Sequence, residues 1–101
     1  MIKVTVLKEN SFIKNITIKG HSGYDEQGRD IVCASISSTC ITVVNAILNI
    51  DKEAISFEKK EGYLSITILK HTQYIDVLLE VMLAQLQDLE KSYPKNVKIM
   101  I

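Results

Sequence analysis

Residues 20–37 read GHSGYDEQGRDIVCASIS, and the fold turns on how this stretch joins its two neighbours. It holds one of the two histidines, His21, one of the two cysteines, Cys33, and three of the four glycines. An alternating run leads in and a charge-free run, Ile31 to Ile50, leads out. Asp30 is a favoured N-cap residue, so a helix is predicted to start there and to end near Ile50. The stretch is therefore a polar loop between a strand and a helix. His21 stands at the strand exit and Cys33 in the first helical turn.

Working outward toward the N-terminus, residues 2–8 alternate, with Ile2, Val4 and Val6 on one face and Lys3, Thr5 and Lys8 on the other. Glu9-Asn10-Ser11 is turn material, and Phe12 to Lys19 resumes the alternation through Phe12, Ile16 and Ile18. The pair predicts a β-hairpin that Gly20 ends. On the other side, Ile36, Cys40, Val43, Ile47 and Ile50 recur at helical spacing and form a core stripe. Ser35, Ser38, Thr42, Asn45 and Asn49 make a second, polar and uncharged face. Solvated faces usually carry Lys and Glu, so this one is predicted to pack on another helix or across a dimer interface.

Asp51-Lys52-Glu53 marks the helix end. Ala54–Lys59 and Tyr63–Lys70 alternate around Lys60-Glu61-Gly62, with Ile55, Phe57, Leu64, Ile66 and Ile68 facing inward. Thr72 caps a second helix with the stripe Ile75, Leu78, Leu79, Met82, Leu86 and Leu89, and Ser92-Tyr93-Pro94 stops it. Val97, Ile99 and Ile101 suggest a last strand. The order is ββαββαβ, a single α+β domain over residues 1–101. Two helices on one face of a mainly antiparallel sheet is the simplest layering that buries both stripes.

The bulk numbers fit one globular domain: 101 residues, 47% hydrophobic and 24% charged. Lys+Arg and Asp+Glu are 12 each, which leaves no global field, and the basic residues are scattered along the chain. Direct nucleic-acid binding is not expected. Ile31–Ile50 carries no charge, but seven of its twenty residues are Ser, Thr or Asn. It is read as a buried helix rather than a membrane span. No signal peptide is visible, and two cysteines without one suggest a reducing compartment. Cys33 and Cys40 lie seven residues apart on one helix, roughly 10 Å along its axis at 1.5 Å per residue. That exceeds the disulfide limit of about 7 Å between Cα atoms.

The chemistry gathers at the loop. Free N–H groups and the dipole at a helix start stabilise an anion, and a thiol there, beside a histidine, becomes a thiolate nucleophile. The same N–H groups are candidates for an oxyanion hole. His21 suits a general base or ion-pair partner. From spacing alone, a surface histidine and an inert cysteine are the plainer account. Cys40, two turns further in, reads as core. The loop of Ser22, Gly23, Tyr24 to Gln27 and Gly28 reads either as a lid over substrate or as an ordinary surface loop. Tyr24 either stacks on a substrate side chain or packs back on the sheet. Asp30 is assigned to the cap, with a role in orienting His21, in preference to a pair with Arg29. His21, Asp30 and Cys33 fall short of any metal-ligand spacing, and His71 reads as a surface or capping residue. No metal and no cofactor are expected.

The pattern carried by Gly20, His21, Gly28, Asp30, Ile31, Val32, Cys33, Ala34 and Ser37 resembles the ribosomal-processing cysteine protease family, Prp. The resemblance extends over the whole chain in length and element order. It implies a cytoplasmic endopeptidase that removes the short N-terminal extension of a large-subunit ribosomal protein (the twenty-seventh), cutting after a phenylalanine pair. It further implies a homodimer with a flexible loop beside the active site. Carried over, Cys33 is the nucleophile, His21 the base, and Gly20, Asp30 and Ser37 are supporting residues. No third triad member stands out. The Asp25-Glu26 pair gives the loop a charge that favours a basic substrate segment. Rival readings are a non-catalytic ribosome-associated peptide-binding module and a thiol acyltransferase or thioesterase.

Overall fold

The computed structural model describes residues 1–26 and 28–101; Gln27 of the loop lies outside the described residues. The elements are β1 (Ile2–Glu9), β2 (Phe12–Lys19), α1 (Ile31–Ile50), β3 (Ile55–Lys60), β4 (Tyr63–Ile68), α2 (Gln73–Ser92) and β5 (Val97–Met100). Five strands form one sheet in the order β3-β4-β2-β1-β5. All pairings are antiparallel except β1 with β5, which is parallel. Ile2, Val4, Val6, Ile16, Ile18, Ile66 and Ile68 form the buried face of the sheet and join the buried stripes of both helices in one core. The expected order and layering are present.

Both helix starts follow from their caps. The Asp30 carboxylate accepts from Val32 N and Cys33 N, and the Thr72 hydroxyl accepts from Ile75 N. At the first hairpin Asn10 and Ser11 both have positive φ (53° and 70°), the conformation a two-residue primed turn requires.

Three apolar residues expected inside lie outside: Phe12, Ile50 and Phe57 are each about half exposed. Phe12 is displaced by a bulge. Leu7 pairs with Asn15 but Lys8 pairs with Ile13, so Lys14 is the extra residue and the inward phase shifts to Ile13. Phe12 instead stacks on His71, ring centroids 5.0 Å apart, and His71 Nδ1 lies 3.0 Å from Asp76 Oδ1. Phe57 sits on edge strand β3, and Ile50 is the last residue of α1. On α1, Ser38, Thr42, Asn45 and Asn49 are exposed, so α2 does not cover the polar face as a neighbouring helix was expected to.

Candidate active site

Two elements deliver the pair of interest. β2 ends at Lys19, and Gly20 turns the chain with φ +94°, its N–H donating to Gly62 O at 2.9 Å. A Cβ on Gly20 would lie 2.6 Å from the Met1 carbonyl oxygen, so only glycine passes here. His21 follows, and its imidazole lies across Gly62 of the β3–β4 turn; a Cβ on Gly62 would stand 3.1 Å from Nε2. Cys33 rises in the first turn of α1, half-buried, while Cys40 is fully buried on the same helix.

His21, Cys33 and Ser37 line two adjoining cavities. One, about 230 Å³, is walled largely by apolar side chains, among them Ile18, Ile36, Ile41 and Leu64. The other, about 530 Å³, lies under the loop and is bordered by Gly23, Asp25, Gly28, Asp30 and Ala34. Cys33 thus stands where the two hollows meet. Ser37 is one turn on from Cys33 and exposed.

Asp30 organises the loop. One carboxylate oxygen, Oδ1, accepts from Val32 N (3.0 Å) and Cys33 N (2.9 Å). The other, Oδ2, accepts from the Ser22 hydroxyl and from Tyr24 N (3.2 Å). Burial is the largest single influence on this carboxyl and pushes it up. The hydrogen bonds from the Ser22 hydroxyl and the backbone, Cys33 N–H first among the latter, together outweigh it and bring it down to about 2. Ser22 and Asp30 are the two buried polar residues among those described. Ser22 N–H in turn points at Cys33 Sγ, 3.2 Å away. Its carbonyl accepts from Asn96 Nδ2 at 3.0 Å, which ties the loop to the segment before β5.

Several expectations change accordingly. Asp30 caps the helix as expected, but its hydrogen bond goes to Ser22 and not to His21. The helix-start N–H groups of Val32 and Cys33 are already occupied by Asp30, so they are not free donors for an oxyanion. The donor at the sulfur is Ser22 N–H. Arg29 reaches Asp25 (3.6 Å) and Glu26 (3.7 Å), so one guanidinium offsets part of the acidic charge expected to attract a basic segment. Tyr24 packs edge-on against Tyr93, centroids 5.4 Å apart, rather than on the sheet. Burial pushes the Cys40 thiol up to about 12, as befits a core cysteine. The sequence reading missed Gly62, Tyr93 and Asn96. Gly62 carried only a turn signal, and the other two meet the loop across more than sixty residues of chain.

A thiol in a first helical turn and a histidine lining the same cleft, with an apolar hollow beside them, bring together the groups that cysteine-protease chemistry requires. The chain belongs to the cysteine protease Prp family, whose model matches residues 1–98. The ribosomal processing cysteine protease Prp of Staphylococcus aureus is 29% identical over 101 residues, covering 97% of this chain and 94% of that protein. Its counterpart in Mycoplasma genitalium is 30% identical over 94 residues, covering 93% and 94%. Among solved structures, the S. aureus protease with a covalently linked product peptide superposes with a TM-score of 0.92 at 27% identity, covering 99% of this chain and 98% of that one. The same protease with a substrate peptide gives 0.86 at 26% identity, covering 98% and 97%.

Proposed function

We propose that this chain is an endopeptidase that removes the short N-terminal extension of a large-subunit ribosomal protein, the twenty-seventh, by cutting after a pair of phenylalanines. The observation that carries the reading is the setting of Cys33, whose sulfur faces an N–H donor in a cleft shared with His21 and flanked by an apolar cavity. The phenylalanines before the cut occupy that cavity, and the residues after it run through the one bordered by the loop.

Cys33 sulfur, its proton passed to His21, attacks the scissile carbonyl carbon. The tetrahedral oxyanion then collapses, the C–N bond breaks, and His21 returns the proton to the leaving amine. Water deprotonated by His21 attacks the thioester, releasing the acid and restoring the thiol. Asp30 and Ser37 support the pair, Asp30 through Ser22. The enzyme acts in the cytoplasm as a homodimer joined through the uncharged face of α1. Sedimentation that found only monomer at working concentration would remove the dimer.

The test is incubation of the extension peptide with the reduced protein, read by mass spectrometry, beside Cys33→Ala. One cut after the phenylalanine pair, absent in the variant, is expected. No cut by folded wild type, or an equal cut by the variant, would refute the reading.

A further inference from the structure

Lysines scattered in the sequence come together in the sheet. Lys3 on β1 pairs directly with Lys19 on β2 and with Lys98 on β5. Lys19 pairs with Tyr63 on β4, and Tyr63 with Lys60 on β3. One row across all five strands therefore reads Lys98, Lys3, Lys19, Tyr63, Lys60 on the face that the helices leave open. At a strand spacing of about 4.8 Å the row is roughly 19 Å long. Lys60 Nζ pairs with Glu58 at 2.9 Å, whereas Lys3, Lys19 and Lys98 have no acidic partner within 4 Å among the described residues.

Like charges directly opposite in a sheet destabilise it, so this row works against folding. Lysines on edge strands are a common guard against aggregation, which accounts for Lys60 and Lys98. It does not account for Lys3 and Lys19, which sit on inner strands. The aromatic member is placed between two cations: Lys19 Nζ and Lys60 Nζ lie 5.8 and 5.9 Å from the Tyr63 ring centroid. Beyond the row the same face carries no hydrophobic ladder. It carries a hydrogen-bonded set of small polar groups, in which Asn15 Nδ2 donates to Ser65 Oγ and Thr67 Oγ1 and Thr17 Oγ1 donates to Asn15 Oδ1.

We infer that this open sheet face docks single-stranded RNA. The lysine row takes the phosphates, Tyr63 offers a ring on which a base stacks, and the hydroxyl and amide groups behind it meet sugar and base edges. An acidic peptide would use the lysines but would leave the ring and the polar set without a role. A formal net charge of +0 does not oppose this, because association depends on the local row and not on the sum. The row meets the cleavage cleft at one end, where Lys60 and Tyr63 also line the apolar cavity, whereas Lys3, Lys19 and Lys98 border neither cavity, so the test is made at Lys3 and Lys98.

The test is fluorescence anisotropy of a labelled, mixed-sequence RNA oligonucleotide with the full chain, beside the double variant Lys3→Glu/Lys98→Glu and polyglutamate of equal charge as competitor. Three unpaired lysines predict a salt slope near −2, so affinity falls about twenty-fold between about 50 and 200 mM salt. In the double variant the slope falls below about 1 in magnitude and RNA binding weakens by more than about ten-fold. The variant is expected to melt no lower than wild type, because the change at position 3 turns its like-charge pairing with Lys19 into an attractive one, and to keep its rate of peptide cleavage. Equal RNA affinity of wild type and variant, or binding indifferent to salt, would overturn the proposal. Polyglutamate competing as well as unlabelled RNA would overturn it in favour of an acidic protein partner.

Discussion

Replacing Asp30 by asparagine separates the shape of this site from its charge. Asparagine is as good an N-cap as aspartate, so one oxygen can still accept from Val32 N and Cys33 N. The second oxygen becomes an NH2 group, which faces the Tyr24 N–H as donor against donor and forces the Ser22 hydroxyl to turn. A folded carboxyl at about 2 against an ordinary value of 3.8 corresponds to about 2.4 kcal/mol. Asp30 borders an open cavity, and screening there trims this to about 1–2 kcal/mol. Because the folded value is the lower one, the stabilisation is full above about pH 4 and is lost as pH falls toward 2. Urea unfolding followed by circular dichroism should find Asp30→Asn less stable by that amount at pH 7, a fall in Tm of about 5–15 °C. At pH 3 the gap between the two proteins should shrink to roughly half, since the wild type is then losing the same charge. Equal stability at pH 7, or a gap that does not change with pH, would refute the assignment of Asp30 as an ionised clamp.

Gly62→Ala sets a methyl group 3.1 Å from His21 Nε2 at a residue with φ +66°. It should cost about 1 kcal/mol in urea unfolding and lower peptide cleavage by a larger factor than stability alone explains. Brief treatment of native protein with iodoacetamide at neutral pH should label Cys33 and spare Cys40, which is buried with its thiol pushed up to about 12; peptide mapping that found both labelled equally would contradict the core role of Cys40. Asn96→Ala removes the donor to the Ser22 carbonyl. It should reduce stability by about 1 kcal/mol and, by loosening the strand of chain that aims Ser22 N–H at the sulfur, slow alkylation of Cys33.

Element boundaries were legible because their signals are local. Asp30 and Thr72 mark helix starts within a few residues, and period-two alternation marks the strands. Phe12 was misplaced because the bulge at Lys14 shows itself only once β1 and β2 are in register. The same holds at the site. That Asp30 caps α1 could be read from its position, but its second oxygen meets Ser22 and Tyr24 through the path of a loop that no periodicity describes. Asn96 and Tyr93 reach that loop from the far end of the chain, and the lysine row exists only through the pairing of five strands. Sequence patterns carry what neighbours along the chain dictate, and they carry little of what register and loop closure bring together.

The parallel pairing of β1 with β5 has a bearing on biosynthesis. Ile2, a wall of the apolar cavity, is held by Val97 across the sheet, and its N–H donates to Asn96 O. A nascent chain that has emerged only through α2 already contains His21, Cys33 and Asp30, yet it lacks the strand that fixes Ile2 and the amide that fixes Ser22. Closing a loop this long is also among the slower steps open to a small domain. Translation must therefore run past residue 97 before the cleft around the thiol takes its final form.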